Sequence, residues 1–382
     1  MAVYLDNAAT TYPKPAAVYD RMDDFLRNHC ANPGRSGHRM SVESQRAVVQ
    51  CRQAVADLLG APSPDHVVFT LNATDALNIA IKGIVRPGDH VVTTRMEHNS
   101  VARPLEGAKR HGVEVTFVGA DCEGRVAASD ILAAVRGNTR LVAMTHASNV
   151  VGTILPVEEV ATALRGTSCL LLVDAAQTAG AVPISVKDAG IDLLAFAGHK
   201  GPLGPPGTGG LIVGGRALPG PFREGGTGTV SESITHPEEL PERLEAGTLN
   251  VSGIVGLLAG VEYLLDRTVA SVREHERAMA EALHLGLASI QGVTVYGPAD
   301  FALRSGPVSF SVGEADPRAV AAILDASFDV AVRAGLHCAP LAHQSLGTYP
   351  AGTVRMSPGP FTTVEDVTTA LQAVEQVAAA FV

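Results

Sequence analysis

Between residues 64 and 213 short apolar runs alternate with amphipathic stretches, and this alternation constrains the fold more than any other feature of the chain. The runs are Val67-Val68-Phe69, Val91-Val92, Leu141-Val142-Ala143-Met144, Leu170-Leu171-Leu172-Val173, Leu193-Leu194-Ala195-Phe196 and Leu211-Ile212-Val213. Unbroken apolar runs suit strands buried on both faces, and the patterns at 74–84 and 157–164 have helical spacing. This predicts an α/β fold with a mainly parallel sheet covered by helices. In such sheets ligands gather beyond the carboxyl ends of the strands, so chemistry is sought just after each run.

The stretch 214–250, rich in glycine, proline and threonine, reads as loops. After it come a long helical segment at 255–290, strands near Val293 and Val308, a helix from Pro317, strands at Val330-Ala331-Val332 and around Val354, and a last helix from Val364. That is an α+β unit smaller than the first, and 382 residues suffice for two cores. A formal net charge of -10 argues against a broad nucleic-acid-binding face. The N-terminus lacks a basic stretch leading into an apolar core, and no run suits a bilayer span, so a cytoplasmic protein without a membrane partner is expected. The five cysteines are scattered and form no CxxC or Cys/His pattern; no structural metal site is expected, and cysteine chemistry should rest on one free thiol.

Two strand ends carry the chemistry. Lys200 follows the run 193–196 directly, among glycines and prolines, and is one of only five lysines. It reads either as a charged loop tip or as a buried amine put to use. Asp174 ends the run 169–173, so its carboxylate emerges at the same edge of the sheet. It either caps the next segment or meets a cation, such as a protonated pyridine nitrogen, with Gln177 near enough to bond a phenolic oxygen of the same ring. Phe69-Thr70-Leu71-Asn72-Ala73-Thr74 reads as strand, turn and helix start, where backbone N–H groups at Ala73 and Thr74 can bind an anion; an ordinary N-cap by Asn72 or Thr74 explains the pattern equally well.

Together these residues resemble the class V aminotransferase family of pyridoxal-phosphate enzymes, and within it the cysteine desulfurases and selenocysteine lyases. The resemblance covers nearly the whole chain. Tyr4-Leu5-Asp6-Asn7-Ala8-Ala9-Thr10-Thr11 is similar to the family's N-terminal signature and Gly198-His199-Lys200 to its cofactor-lysine motif. Met96-Glu97-His98-Asn99-Ser100 resembles the segment whose histidine stacks on the ring and relays protons. Ser148-Asn149-Val150-Val151-Gly152 resembles the segment whose asparagine contacts the ring. Glu245-Ala246-Gly247-Thr248-Leu249-Asn250 is similar to the loop that reaches the phosphate of a neighbouring subunit, which implies a homodimer. Arg355, between Val354 and Met356, matches the arginine that grips the substrate carboxylate, and its planar fork suits that task. Arg333-Ala334-Gly335-Leu336-His337-Cys338-Ala339 resembles the short cysteine loop of the group II (SufS-like) desulfurases, whose cysteine accepts sulfur.

The resemblance implies fold type I: a large domain, 16–250, with a mainly parallel seven-stranded sheet, and a small domain of 1–15 with 251–382. It implies pyridoxal 5′-phosphate as cofactor, held by Lys200, Asp174, Gln177, His98, Asn149, Ala73, Thr74, His199 and Thr248. Lys200, Cys338 and His98 are the expected catalytic residues, and Asn7, Ala9, Arg333 and Arg355 the expected substrate contacts. The implied reaction converts L-cysteine to L-alanine with sulfur passing to Cys338, for which His337 and Arg333 would favour the thiolate, and then to an acceptor protein. Selenocysteine cleavage, another C–S bond cleavage or transamination is the alternative. The chain departs from the pattern at Ala197, where many relatives carry a phosphate-binding hydroxyl, and at 32–38 and 201–210, which resemble a less characterised branch.

Overall fold

The computed structural model describes residues 2–34 and 37–381, so Arg35 and Ser36 of the divergent 32–38 segment lie outside the described residues. The chain opens with β1 (Val3–Tyr4). Seven strands then form one sheet: β2 (Val67–Thr70), β3 (His90–Thr94), β4 (Glu114–Val118), β5 (Thr139–Thr145), β6 (Leu170–Asp174), β7 (Leu193–Ala197) and β8 (Gly209–Val213). Their order is β2-β8-β7-β6-β5-β3-β4, parallel except that β8 runs against both its neighbours. Six of the seven arise from the apolar runs. The seventh, β4, is an edge strand of sequence Glu-Val-Thr-Phe-Val with only Val118 buried, so it carries no continuous apolar signal.

Period-2 alternation divides each central strand between two cores. Val142, Met144, Leu171, Val173, Leu194 and Phe196 point into one. Their neighbours Leu141, Ala143, Leu170, Leu172, Leu193 and Ala195 point into the other. Covering both faces in this way leaves only the strand ends open to a ligand. Gly210 lets β8 pass the β7 side chains, since a Cβ there would sit 2.5 Å from the Phe196 ring.

A third core gathers Val3, Leu5, Leu283, Phe310, Leu324, Val354 and Val374. Its strands are β9 (Val293–Tyr296), β10 (Val308–Val312), β11 (Val330–Ala331), β12 (Arg333–Gly335) and β13 (Thr353–Met356). Four of them make an antiparallel sheet in the order β12-β13-β10-β9, and β11 pairs with β1. The segment expected as one long helix is two, Val251–Arg267 and Val269–Ser289, divided at Thr268 with φ 66°. Its first half, placed with the small unit by sequence, packs Ile254, Leu257 and Val261 into the large core instead. Its second half packs Met279, Leu283 and Leu287 into the small one. Among the described residues no helix is long and apolar enough to cross a membrane.

One buried ion pair joins distant parts of the large unit. Arg52, on the helix Arg39–Leu59, donates to both Glu245 oxygens, at 2.8 and 2.5 Å, and Glu245 also accepts from the Phe69 N–H of β2. Removing one partner strands the other charge out of water. Glu245→Ala is therefore expected to destabilise the fold by about 3–5 kcal/mol in denaturant titration, whereas the double change Arg52→Leu with Glu245→Leu recovers part of that loss, the Phe69 N–H being left unpaired.

Candidate active site

The buried strand β7 delivers Gly198-His199-Lys200 to the carboxyl edge of the sheet. The loop is fixed from outside by the N-terminal segment. Thr10 donates its hydroxyl to the His199 carbonyl at 3.1 Å, Thr11 donates to that of Lys200 at 2.9 Å, and Lys14 Nζ donates to the His199 carbonyl at 2.7 Å. Lys14 is thus a half-buried brace. Burial pulls the Lys200 ammonium down from its ordinary 10.5 to about 8, with Asp174 opposing the shift and Arg355 and Arg333 adding to it.

Asp174 ends β6 beside β7 and is 4% exposed. Burial raises its pKa, opposed by the Ala176 N–H that donates to its Oδ1 at 2.9 Å and by Lys200. Lys200 and Asp174 line one cavity of about 480 Å³, together with Ala9, Ala73, Thr74, His98, Asn149, Gln177 and His199. Arg333, Cys338 and Arg355 from the small unit complete its wall. Gln177 spends its amide N–H on the Ala8 carbonyl at 3.1 Å. His98 caps the helix Asn99–Lys109, and its Nδ1 accepts from the Ser100 N–H at 3.0 Å. Burial first, then the charges of Lys200, Arg103 and Arg355, lower the His98 pKa to about 4, so the ring is neutral at physiological pH.

The small unit supplies two arginines and a thiol. Arg333 on β12 and Arg355 on β13 are register partners, an opposition that a carboxylate must relieve. Asp6 does so, at 2.9 Å from Arg355 Nη2 and 2.9 Å from Arg333 Nη2. Arg355 Nη1 donates to the Asn149 carbonyl at 2.8 Å, while its Nε is buried without a partner among the described residues. The Asn149 side-chain amide donates to the His337 carbonyl at 2.7 Å, and the Asn99 N–H to the Cys338 carbonyl at 2.8 Å. These bonds hold His337 and Cys338 in the left-handed region, φ 48° and 58°, with Cys338 exposed. Burial drives the His337 pKa down to about 2, so this ring carries no positive charge beside the thiol.

Two expected site residues lie elsewhere. Asn7 is 7% exposed and braces the backbone, donating to the Ser357 carbonyl at 3.0 Å and accepting from the Tyr12 N–H at 3.1 Å. Thr248 lines a separate small cavity with Arg223 and Gly207. Conversely, Asp6 and Ser100 were not singled out by sequence; an acidic residue inside the N-terminal signature was the one available signal for Asp6.

The open groups fit pyridoxal phosphate. Asp174 offers a buried carboxylate for a ring nitrogen and Lys200 a depressed amine for an aldehyde. Asn72 caps the helix Ala73–Ile84 through the Asp75 N–H, leaving the Ala73 and Thr74 amides for an anion. His199 Nδ1 is buried with no partner among the described residues, and the volume lies in the usual range of roughly 300–1,000 Å³ for ligand sites. Ala197, also on the wall, contributes no hydroxyl.

Comparison with known proteins agrees. Residues 3–369 match the family model described as aminotransferase class-V. A probable cysteine desulfurase of Methanothermobacter thermautotrophicus is 38% identical, over 98% of this chain and 94% of its own. The cysteine desulfurase of Haloferax volcanii is 35% identical over 90% of this chain and 82% of its own. The apo structure of a cysteine desulfurase from Thermococcus onnurineus superposes with a TM-score of 0.92 at 34% identity, covering 99% of this chain and 95% of that one. The chain belongs to the class V aminotransferase family of pyridoxal-phosphate-dependent enzymes, among the cysteine desulfurases.

Proposed function

We propose that this cysteine desulfurase takes sulfur from L-cysteine onto Cys338, in the manner of the group II (SufS-like) enzymes. The supporting observation is that Lys200 and Asp174, at adjoining strand ends, share one cavity with Arg355 and Cys338 on its far wall. Lys200 tethers the cofactor, which when bound draws electrons from the substrate Cα and Cβ. Once free, the Lys200 amine removes the Cα proton. Asp174, buried and out of water, would keep a proton on the ring nitrogen. His98, neutral and carrying its proton on Nε2, would face the ring and pass protons. Arg355 holds the substrate carboxylate with the N–H groups that Asp6 and Asn149 leave free. Cys338 thiolate then attacks the substrate sulfur: an S–S bond forms as the S–Cβ bond breaks, and the electron pair left on carbon is protonated on the way to alanine.

The same reading takes Ala9 and Arg333 as substrate contacts and Gln177, Asn149, Ala73, Thr74 and His199 as cofactor contacts. It makes the working unit a cytoplasmic homodimer in which the Thr248 loop, lying apart from its own chain's cavity, serves the neighbouring site. It sets the change of domain at Thr268, where the chain passes from one core to the other, with 1–15 joining the small domain. An acceptor protein collects sulfur from exposed Cys338.

Two outcomes are expected. Cys338→Ala lowers alanine formation from cysteine by at least about 10²-fold and abolishes enzyme-bound persulfide; undiminished sulfur release would move the acceptor role to another group. The Lys200 amine must be unprotonated to add to the aldehyde, so the rate at which apo-protein captures pyridoxal phosphate should rise with pH and level off above about 8. A rate still climbing toward 10.5 contradicts the burial of this amine.

A further inference from the structure

Ser100 is a polar group on the cavity wall that the proposed reaction leaves without a role. It is 8% exposed, and its Oγ lies 2.9 Å from His98 Nδ1 and 2.7 Å from Thr74 Oγ1. Three side chains on two neighbouring helices therefore form one chain of contacts, from the end of the helix Ala73–Ile84 to the imidazole. We propose that Ser100 is a positioning residue whose hydroxyl couples phosphate binding at Thr74 to the basicity of His98. This rests on reading the first turn of that helix as the phosphate seat.

A backbone N–H can only donate, and that of Ser100 points at His98 Nδ1 at 3.0 Å. His98 Nδ1 is therefore the bare nitrogen, and Nε2 carries the proton toward the cavity. A bare nitrogen 2.9 Å from a hydroxyl oxygen must accept from it, because two lone pairs at that distance repel. Hence, with no anion at Thr74, the Ser100 O–H donates to His98 and the Thr74 O–H donates to Ser100. Thr74 then shows the cavity only lone pairs, which a phosphate cannot use.

An anion at the helix end reverses the chain. Thr74 turns its O–H to the phosphate, Ser100 turns its own to Thr74, and His98 Nδ1 keeps the backbone N–H alone. Each hydroxyl donates once before and once after, so the reversal needs only two bond rotations. Losing a donor makes Nδ1 the better base. The charges facing His98 all oppose its protonation: Lys200 from the loop after β7, Arg103 on its own helix and Arg355 on β13. Against them the reversal moves the imidazole in the direction that proton transfer requires, and it does so only when the phosphate is seated. Ala197 supplies no hydroxyl on this wall, so the Thr74–Ser100 pair carries more of the phosphate contact.

The test titrates apo-protein with pyridoxal 5′-phosphate and with phosphate-free pyridoxal. Thr74→Val should weaken pyridoxal-phosphate binding about 3- to 10-fold; Ser100→Ala, in which Thr74 gives up no donation to meet the phosphate, should not weaken it, and the double variant should match Thr74→Val. Affinity for pyridoxal should not change in any of them. In the apo-protein, nuclear magnetic resonance should show His98 of Ser100→Ala titrating higher than in the native protein, because the hydroxyl donor to Nδ1 is gone. A loss of binding in Ser100→Ala, equal losses for pyridoxal, or an unmoved His98 overturns the relay and leaves the cofactor reading intact. Failure of native apo-protein to bind pyridoxal phosphate overturns both.

Discussion

Two ionisable groups withdrawn from water at one edge of a parallel sheet set the terms for the rest of the molecule. Asp174 ends β6 and Lys200 follows the end of the adjacent β7, and every residue of both strands is buried. Desolvation pushes each toward its neutral form, the carboxyl upward and the ammonium downward. A carboxylate that resists ionising alone will bind a ring nitrogen's proton strongly, and an amine near neutrality adds readily to an aldehyde. The sheet thus creates the chemical demand that a pyridine-aldehyde cofactor meets.

The small unit answers with a second strained arrangement. Paired strands set Arg333 against Arg355, and the carboxylate of Asp6, delivered from the chain's first strand, keeps both in place. Asn149 connects this pair to the thiol loop, accepting from Arg355 through its carbonyl and donating to His337 through its side chain. Arg355 and the Cys338 loop are therefore set against each other by the loop after β5, which belongs to the large unit. They keep a fixed spacing because Asn149 bonds to both.

Much of this was legible before any coordinates. Strands buried on both faces leave unbroken apolar runs, so six strands and the positions of Lys200 and Asp174 could be read directly, while half-exposed β4 could not. Residues whose work is a long-range bond were silent: Lys14 braces a carbonyl 185 positions away, and Asp6 pairs with an arginine 349 positions away. The neutrality of His337 depends on how deeply it is buried, which no spacing reports. The break at Thr268 escaped notice because helical periodicity runs across it and one residue with positive φ leaves no mark in composition. Asn7 sits in a motif whose neighbours reach the cavity, yet its own amide is turned to the backbone.

The amine at the end of β7 is the claim on which the rest stands. Borohydride reduction of the cofactor-loaded protein, followed by peptide mapping with mass spectrometry, identifies the lysine that holds the cofactor. A single pyridoxyl adduct on Lys200 is expected; an adduct on Lys14, the other lysine braced against this loop, or on none of the five, would contradict that assignment.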